Sequence, residues 1–253
     1  MLAIERQRKI LDTAKREGAV RTQELASSLG VTEETVRRDL DTLSRQGLLR
    51  RTHGGAADIS MVIKESTQTE REARQAAEKT TIARLAAKKI GDNETIMLDA
   101  SSTTLELAHH IPKGKEKLRV LTYSHDVVEK LSVRSDIELI LLGGVFEPKG
   151  RRFMGMLTEI GIRTFNIDRF FFSGHGYDTT LGVGEPNPEE SRLKATAMTH
   201  ARWKCALMDH TKLGRKTDHF FVKPEEIDLF ITDSVTEAFR KSMEDQGIKI
   251  LSA

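Results

Sequence analysis

Apolar positions at helical spacing recur three times near the start of the chain. Each set places its apolar side chains three or four residues apart, which is the period of an amphipathic helix. A glycine follows each set, and glycine is the residue that most often ends a helix. The sets and the glycines that follow them are Ile10, Leu11 and Ala14 before Gly18; Leu25, Ala26 and Leu29 before Gly30; and Val36, Leu40 and Leu43 before Gly47.

The second and third predicted helices are separated by a short turn that contains Gly30. Thr22 and Thr32 are suited to cap these helices, because a threonine hydroxyl can accept a hydrogen bond from a free backbone N–H of the first turn. Burial of the apolar stripe of the third helix leaves Arg37 and Arg38 exposed. Two helices joined in this way are typical of a helix-turn-helix, whose second helix enters the major groove of DNA.

A short strand and a glycine-rich turn are predicted after the third helix, over residues 48–56. This wing would hold Arg50, Arg51 and His53 against DNA phosphates. A small helical bundle with solvated arginines is the alternative for each single arginine, but the helices, the turn and the basic wing together favour DNA binding. The candidate DNA-binding residues are Thr22, Thr32, Glu34, Thr35, Arg37, Arg38, Arg50, Arg51 and His53.

From residue 76 onwards, short apolar runs alternate with amphipathic helical segments. Repeated strand–helix units predict an α/β domain in which a mainly parallel sheet is covered by helices on both faces. The predicted organisation is a winged helix-turn-helix domain over 1–57, a polar linker over 58–74 that is partly helical near its end, and an α/β sensor domain over 75–253. The predicted strands are 95–99, 118–122, 137–142, 170–172, 206–208, 229–232 and 248–250, and the predicted helices are 76–90, 103–110, 126–131 and 189–201.

Charge and composition narrow the class of protein only slightly. The chain has 40 basic and 38 acidic residues, a formal net charge of +2. The first 57 residues hold 11 basic and 8 acidic side chains, so the small excess lies in the predicted DNA-binding part. No apolar run approaches the roughly 18 residues of a membrane span, and the charged N-terminus does not resemble a signal peptide. With Cys205 as the single cysteine, we expect a cytoplasmic protein without an internal disulfide or a thiolate metal site.

Three motifs resemble the DeoR family of bacterial transcriptional regulators. They are Arg6-Gln7-Arg8 before the first helix, the run from Val31 to Leu40, and Gly47 followed by the wing sequence from His53 to Ala56. The resemblance implies a repressor of a sugar catabolic operon. It also implies a second domain that senses a phosphorylated sugar and is similar to the sugar-phosphate isomerase and CoA-transferase type of α/β fold. No cofactor is expected.

Polar segments at the carboxyl ends of the predicted strands are the candidate effector site, because ligands of open α/β sheets bind there. The segment from Asp99 to Thr104 opens a helix, whose free N–H groups and four hydroxyls would cradle an anion; a plain helix cap is the alternative. Thr122 and Ser124 are either ligand contacts or part of a turn. Gly143 and Gly144 either let a ligand approach the backbone or make a sharp turn.

Further candidates follow from later segments. Arg152 either meets a phosphate or is solvated, and His175, placed between two glycines, is either a ligand contact or a structural histidine. The family resemblance adds Lys194 and Lys212 at its remaining signature positions, and the loop lysine is the better candidate for a charge contact. The candidate effector-binding residues are Asp99, Ser101, Ser102, Thr103, Thr104, Thr122, Ser124, Gly143, Gly144, Arg152, His175, Lys194 and Lys212.

Two other classes of function are open to the sequence. An isomerase that moves a proton beside a sugar carbonyl needs residue types that Asp99, Asp178, Glu185 and Lys194 supply, but the attached DNA-binding domain favours sensing over turnover. The pair His109-His110 points to two faces of one helix, and no Cys/His spacing supports a metal site. The predicted function is therefore a DNA-binding regulator that a phosphorylated sugar releases from double-stranded operator DNA. A homodimer or homotetramer is expected, because one helix reads only a few base pairs.

Overall fold

The chain folds into two compact units, residues 1–65 and residues 66–253. The structure, a computed structural model, describes residues 3–17, 19–46, 48–52, 54–58 and 67–253. The predicted helix ends at Gly18 and Gly47, the wing residue His53 and positions 59–66 of the predicted linker lie outside the described residues. No helix within the described ranges is long and apolar enough to cross a membrane.

The first unit is a winged helix-turn-helix, as predicted. Three helices pack against an antiparallel sheet of strand order β1-β3-β2, in which β2 and β3 form the wing hairpin. The predicted inward positions of all three helices form one core with side chains of the sheet, and Ile10, Val36 and Leu40 are fully buried. The elements are α1 (Ala3–Glu17), β1 (Ala19–Arg21), α2 (Thr22–Leu29), α3 (Glu33–Arg45), β2 (Leu49–Thr52) and β3 (Gly55–Asp58).

The turn between α2 and α3 is fixed by one glycine and one threonine. Gly30 has the left-handed backbone angles φ 64° and ψ 38°, which end α2 without the penalty that a Cβ would bring. Thr32 caps α3, because its hydroxyl accepts a hydrogen bond from the Thr35 N–H at 3.3 Å. The prediction that Thr22 caps α2 is wrong: Arg21 is at the cap position, and Thr22 is a buried residue of the first turn.

The second unit is built on a seven-stranded sheet of order β15-β14-β12-β9-β4-β5-β6, with every neighbouring pair parallel. Each of the seven predicted strands is in this sheet, so the predicted α/β class is confirmed. Two small antiparallel sheets, β7-β8 and β10-β11-β13, were not predicted. The strands are β4 (Thr95–Leu98), β5 (Leu118–Thr122), β6 (Ile137–Leu141), β7 (Val145–Glu147), β8 (Arg152–Met154), β9 (Ile167–Phe172), β10 (Gly176–Asp178), β11 (Gly182–Glu185), β12 (Ala201–Leu207), β13 (His219–Val222), β14 (Leu229–Thr232) and β15 (Lys249–Ser252).

Helices cover the large sheet, and its strands are apolar on both faces. Successive side chains of a strand point to opposite faces, so Phe170 and Phe172 join one apolar cluster and Phe171 joins the other. All three rings are fully buried. The helices are α4 (Gln68–Ala73), α5 (Ala76–Ala87), α6 (Ser102–His110), α7 (His125–Leu131), α8 (Met156–Arg163), α9 (Pro188–His200) and α10 (Glu237–Glu244).

The helix α4 lies within the stretch 58–74 that the sequence predicts as a linker. A capping box begins it, in which the Thr67 hydroxyl accepts from the Glu70 N–H and the Glu70 carboxylate accepts from the Thr67 N–H. The Gln68 N–H donates to the Lys149 carbonyl at 3.1 Å, and the Gln68 side chain is buried. The last part of this stretch is therefore packed onto the second unit.

Candidate functional site

The exposed face of α3 carries two arginines. Arg37 and Arg38 are 52 % and 80 % exposed, and they pair with Glu33 at 2.9 Å and Glu34 at 3.3 Å, one turn earlier on the same helix. Pairs this exposed contribute little to stability, so the arginines are free to exchange their partners for phosphates or base edges. The structure thus places the predicted residues Glu34, Arg37 and Arg38 on the exposed face of α3.

Asp39 holds α3 against α1. Its carboxylate is almost fully buried and accepts hydrogen bonds from Arg6 Nε at 2.5 Å and from Gln7 Nε2 at 2.9 Å. Two of the sequence motifs noted above, around residues 6–8 and 31–40, therefore meet in one buried ion pair. Their role here is to orient α3, which leaves the adjacent arginines to face outward.

The wing depends on two consecutive glycines. Gly54 turns the hairpin with φ 88°, and a Cβ on Gly55 would lie 2.0 Å from the Val20 carbonyl oxygen of β1. Arg51 makes its contacts within the first unit: it pairs with Asp41 at 2.8 Å and donates to the Gly55 carbonyl at 2.8 Å. Of the other predicted wing contacts, the side chain of Arg50 and the whole of His53 lie outside the described residues.

A cavity of about 230 Å³ opens in the second unit at the carboxyl ends of three adjacent strands. Ser101 and Ser102 follow β4, Gly174 and His175 follow β9, and the segment 209–212 follows β12. Sheet edges of this kind are where α/β folds bind ligands. The lining residues are Arg71, Arg74, Gln75, Lys79, Ser101, Ser102, Gly174, His175, Glu185, Asp209, Thr211, Lys212 and Arg215.

A buried ion-pair network lies behind the cavity. Lys194 Nζ is 2.9 Å from Asp99 Oδ2, 2.5 Å from Glu185 Oε1 and 3.4 Å from Glu190 Oε1, and it donates to the Ser173 carbonyl. Asp99 also accepts from the backbone N–H groups of Ser101 and Ser173. The predicted ligand contacts Asp99 and Lys194 are therefore occupied with holding the loops after β4 and β9 in place.

Electrostatics inside the network favour the charged forms. Burial alone would lower the pKa of Lys194, but Asp99, Glu185 and Glu190 outweigh it and raise that pKa well above its ordinary value. Burial would likewise raise the pKa of Asp99 and Glu185, but the Lys194 ammonium holds both below their ordinary values. His175 adds to this effect on Glu185, because its Nδ1 is hydrogen-bonded to the second carboxylate oxygen.

The cavity itself has an excess of positive charge. Five of the lining residues are arginine or lysine and two are acidic. Burial, together with the nearby Lys212 ammonium, lowers the pKa of Lys79 to about 8. Burial also lowers the pKa of Lys212, although Asp209 and Glu185 oppose it. Crowded, poorly solvated cations of this kind gain stability when an anion binds between them.

Of the predicted effector residues, Ser101, Ser102, His175 and Lys212 line the cavity, and the others do not. Arg152 is fully buried and pairs with Glu147 at 3.4 Å and with Glu190. Gly144 is required for packing, because a Cβ there would lie 2.3 Å from Thr158 Oγ1. The remaining residues outside the cavity lining are Asp99, Thr103, Thr104, Thr122, Ser124, Gly143 and Lys194.

Sequence reasoning missed Arg71, Arg74, Lys79 and Arg215 as lining residues. The charged run around Arg71 predicts the solvent-exposed start of a helix, because runs of charged residues usually lie at the surface. A signal for Lys79 is present in the sequence: it precedes Ile82 by three residues, which places it on the buried face of α5. A lysine within an apolar stripe is unusual and indicates a buried charge with a specific task.

Within the described part of the chain, His125, Asp126 and Glu129 are close enough together to hold a metal ion. Arg151 contacts all three: its Nη2 is 2.9 Å from His125 Nδ1 and 3.0 Å from Glu129 Oε2, and its Nε donates to Asp126. The guanidinium supplies the positive charge that an ion would bring. We therefore interpret this group as an ion-pair cluster.

Both units match family models. A model of the DeoR-like helix-turn-helix domain matches residues 6–62, and a model of the DeoR C terminal sensor domain matches residues 74–234. The chain belongs to the DeoR family of transcriptional regulators. The family predicted from the three sequence motifs is thereby confirmed.

Curated relatives of this DeoR-family chain match it over most of its length. The uncharacterized HTH-type transcriptional regulator YulB of Bacillus subtilis is 33 % identical, over 99 % of this chain and 96 % of that protein. The HTH-type transcriptional regulator GlpR of Haloferax volcanii is 32 % identical, over 99 % and 98 %. The glycerol-3-phosphate regulon repressor of Escherichia coli is 32 % identical, over 85 % and 84 %. Among solved structures, ribose 5-phosphate isomerase A from Neisseria gonorrhoeae is a distant neighbour, with 15 % identity, a TM-score of 0.40, and coverage of 53 % of this chain and 52 % of that chain.

This DeoR-family protein is a DNA-binding transcriptional regulator with a sensor domain. The family and the curated relatives are regulators rather than enzymes, so the isomerase alternative is wrong. The prediction of a regulator that reads DNA through its first unit is confirmed at the level of the family.

Proposed function

We propose that this DeoR-family regulator is a cytoplasmic repressor of a sugar catabolic operon, and that a phosphorylated sugar bound in the second unit releases it from its operator. The observation that carries the proposal is the cavity at the sheet edge, with five basic side chains against two acidic ones. The name of the relative from Escherichia coli, a glycerol-3-phosphate regulon repressor, is consistent with an effector of this class.

The lining chemistry suits a small phosphorylated ligand. Lys79 and Lys212 supply charge, while Ser101 and Ser102 bring hydroxyls to the first turn of α6, where free N–H groups favour an anion. Glu185 and Asp209 are the acidic lining residues, and their carboxylates offer acceptors for sugar hydroxyls. The volume is below the range of roughly 300–1,000 Å³ for drug-sized ligands, which favours a small sugar phosphate.

The DNA side of the proposal rests on α3. We place this helix in the major groove, with Thr35, Arg37 and Arg38 near base edges or the adjacent phosphates. The hydroxyls of Thr32 and Thr35 lie 2.9 Å apart at the start of the helix, next to the groove surface. Thr22 is omitted from this surface because its side chain is buried.

A symmetric oligomer fits both units. Two copies would present two α3 helices to a two-fold symmetric operator. On the second unit, Val145 on β7 and Met156, Leu157 and Ile160 on α8 are large apolar side chains that are 49–74 % exposed. Apolar residues gathered in this way mark interaction surfaces, and we assign this one to a second copy of the chain. Release from DNA requires that the effector bind the low-affinity arrangement better; tenfold weaker operator binding needs about 1.4 kcal/mol of coupling.

Replacing Arg38 by alanine tests the DNA surface. The Arg38→Ala variant loses an exposed guanidinium in the groove, so we expect operator affinity to fall by about 1–3 kcal/mol, roughly five- to 150-fold. The measurement is a binding titration on the promoter fragment upstream of the protein's own gene, at fixed salt. Arg16→Ala, on the exposed face of α1, is the control and should change affinity little. Unchanged affinity in Arg38→Ala would remove this residue from the interface.

Replacing Lys212 by alanine tests the anion cavity. Lys212 borders the cavity and donates to Ser173 Oγ at 3.0 Å, so its loss removes one charge from any bound phosphate. We expect the concentration of phosphorylated sugar that releases operator DNA to rise at least about tenfold. The measurement titrates a panel of sugar phosphates into the complex of full-length protein and promoter fragment. Lys216→Ala, a 72 % exposed lysine nearby, is the control; equal responses of the two variants would place the anion elsewhere.

A further inference from the structure

Part of the cavity wall is formed by residues of the segment that follows the DNA-binding unit in the chain. The first unit ends at residue 65, and α4 begins at Gln68. Arg71 on α4, Arg74 at its end and Gln75 after it all line the cavity. The cavity of the second unit is thus built in part from residues that lie within ten positions of the end of the DNA-binding unit.

Two nitrogen atoms of the Arg71 guanidinium are buried without a partner in the part of the chain that the structure describes. They are the Nε and Nη2 atoms. Elsewhere in the same unit Arg134 meets both oxygens of Asp136 at 2.6 Å. A buried charged donor without an acceptor loses its hydration without compensation, so such groups are normally paired. Arg71 therefore lines the cavity with buried N–H donors that an anionic acceptor would satisfy.

Lys79 connects the cavity to the same helix. Its ammonium borders the cavity and donates to the backbone carbonyls of Arg71, Glu72 and Arg74, at the C-terminal end of α4. An anion beside Lys79 competes for the protons that hold this helix end. The geometry of α4 and the occupancy of the cavity are consequently coupled through one side chain.

The joint after α4 is strained. Gln75 has φ 50° and ψ 43°, a left-handed conformation that is unfavourable for a residue with a Cβ. This residue lies between α4 and α5 and lines the cavity. Strain of this kind is stored where a segment has a second arrangement within reach.

We propose that α4 transmits effector binding to the DNA-binding unit. A phosphate in the cavity accepts hydrogen bonds from Arg71, draws Lys79 from the carbonyls at the end of α4, and so fixes this helix in a ligand-specific position. The chain that enters α4 comes directly from the first unit, so the position of α4 sets the start of the connection to DNA. This inference rests on the proposed function, because it assigns Arg71 and Lys79 to the same anion site.

The test separates anion binding from its transmission. Full-length protein is titrated with the promoter fragment of its own gene, with and without saturating glycerol 3-phosphate or inorganic phosphate, and affinity for each probe is measured by calorimetry. The response is the ratio of the two operator affinities for the same variant, so that a change in starting affinity cancels. Arg71→Gln is compared with Arg215→Gln, which removes a cavity cation outside α4.

We expect both variants to bind the probes at least fivefold more weakly than the wild type. At saturation, Arg215→Gln should keep the wild-type response of tenfold or more, whereas Arg71→Gln should respond less than threefold. Hydrogen exchange of the backbone amides of residues 69–75, measured without DNA, should slow on saturation in the wild type and in Arg215→Gln but not in Arg71→Gln. Arg71→Lys should recover part of the response.

Two results would overturn the role of α4. One is a full response of saturated Arg71→Gln; the other is wild-type probe affinity in that variant. A failure of the proposed function looks different: the wild type would bind neither probe, or would bind one without any change in operator affinity. In that case the cavity is not an anion sensor, and the inference falls with it.

Discussion

Replacing Lys194 by methionine is expected to lower the free energy of unfolding of the second unit by about 3–5 kcal/mol. The change leaves the carboxylates of Asp99, Glu185 and Glu190 buried without the ammonium that compensates them, and breaking a buried ion pair by removing one partner has costs of this size. Trp203 is the single tryptophan and lies on β12, so its fluorescence during urea unfolding reports on this unit alone.

Lys249→Met, on the exposed side of edge strand β15, is the matched control and should change stability by less than about 0.5 kcal/mol. The pH dependence of the unfolding free energy gives a second readout. In the wild type Lys194 holds the pKa of Asp99 and Glu185 low, so the stability it confers is present at neutral pH. In the variant we expect these carboxyls to have raised pKa values, so that protonation removes their uncompensated charge. The loss of unfolding free energy relative to the wild type should therefore be smaller at pH 5 than at pH 8. A deficit below 1 kcal/mol at pH 8 would show that the network is not needed for folding.

The substitution Gly55→Ala should abolish operator binding at protein concentrations that saturate the wild type. A Cβ at this position would lie 2.0 Å from the Val20 carbonyl oxygen, so β1 and β3 must separate. We expect a cost of about 3 kcal/mol to the first unit, at the upper end for overpacked sites, because backbone atoms rather than flexible side chains must move. The second unit should keep its Trp203 unfolding transition, which makes the loss specific to DNA binding.

The neighbouring glycine provides the control for this prediction. Gly54 has φ 88° but nothing within 4 Å of the position of a Cβ, so Gly54→Ala pays only for its backbone conformation, about 1–2 kcal/mol. Gly54→Ala should therefore retain operator binding with reduced affinity. If Gly55→Ala binds the promoter fragment as well as Gly54→Ala does, the close approach of β1 and β3 does not limit the wing.

The fold could be read from the sequence because its main signals are local. All seven strands of the large sheet are apolar runs of a few residues, and the helix-turn-helix is marked by Gly30 and Thr32 at its turn. The small sheets were missed, since strands of three or four residues that contain glycine, such as 176–178 and 182–185, carry no periodic pattern. The helix α4 was predicted only as a partly helical end of the linker, because five of its six residues are polar and show no apolar stripe, although Thr67 and Glu70 form a capping box.

The sequence locates the candidate site at the strand ends but does not show which charged residues line it. Sequence places Asp99 and Lys194 at strand ends and on a helix, where they resemble ligand contacts. Their partners come from elements far apart in the chain, such as Glu185 on β11, and no local pattern shows that these charges neutralise one another. The cations that do border the cavity include Arg71 and Lys79, whose roles depend on how α4 packs onto the second unit.

The buried pairing of Asp39 with Arg6 and Gln7 has a consequence for how repression can be lifted. The buried Asp39 carboxylate joins α3 to α1. A tilt of α3 within the first unit would therefore leave that charge buried without its partners. On the proposed function, we therefore expect the effector to leave the fold of each winged unit intact. In the proposed oligomer it would instead change the spacing or orientation of two such units, so that they no longer bind the two halves of one operator together.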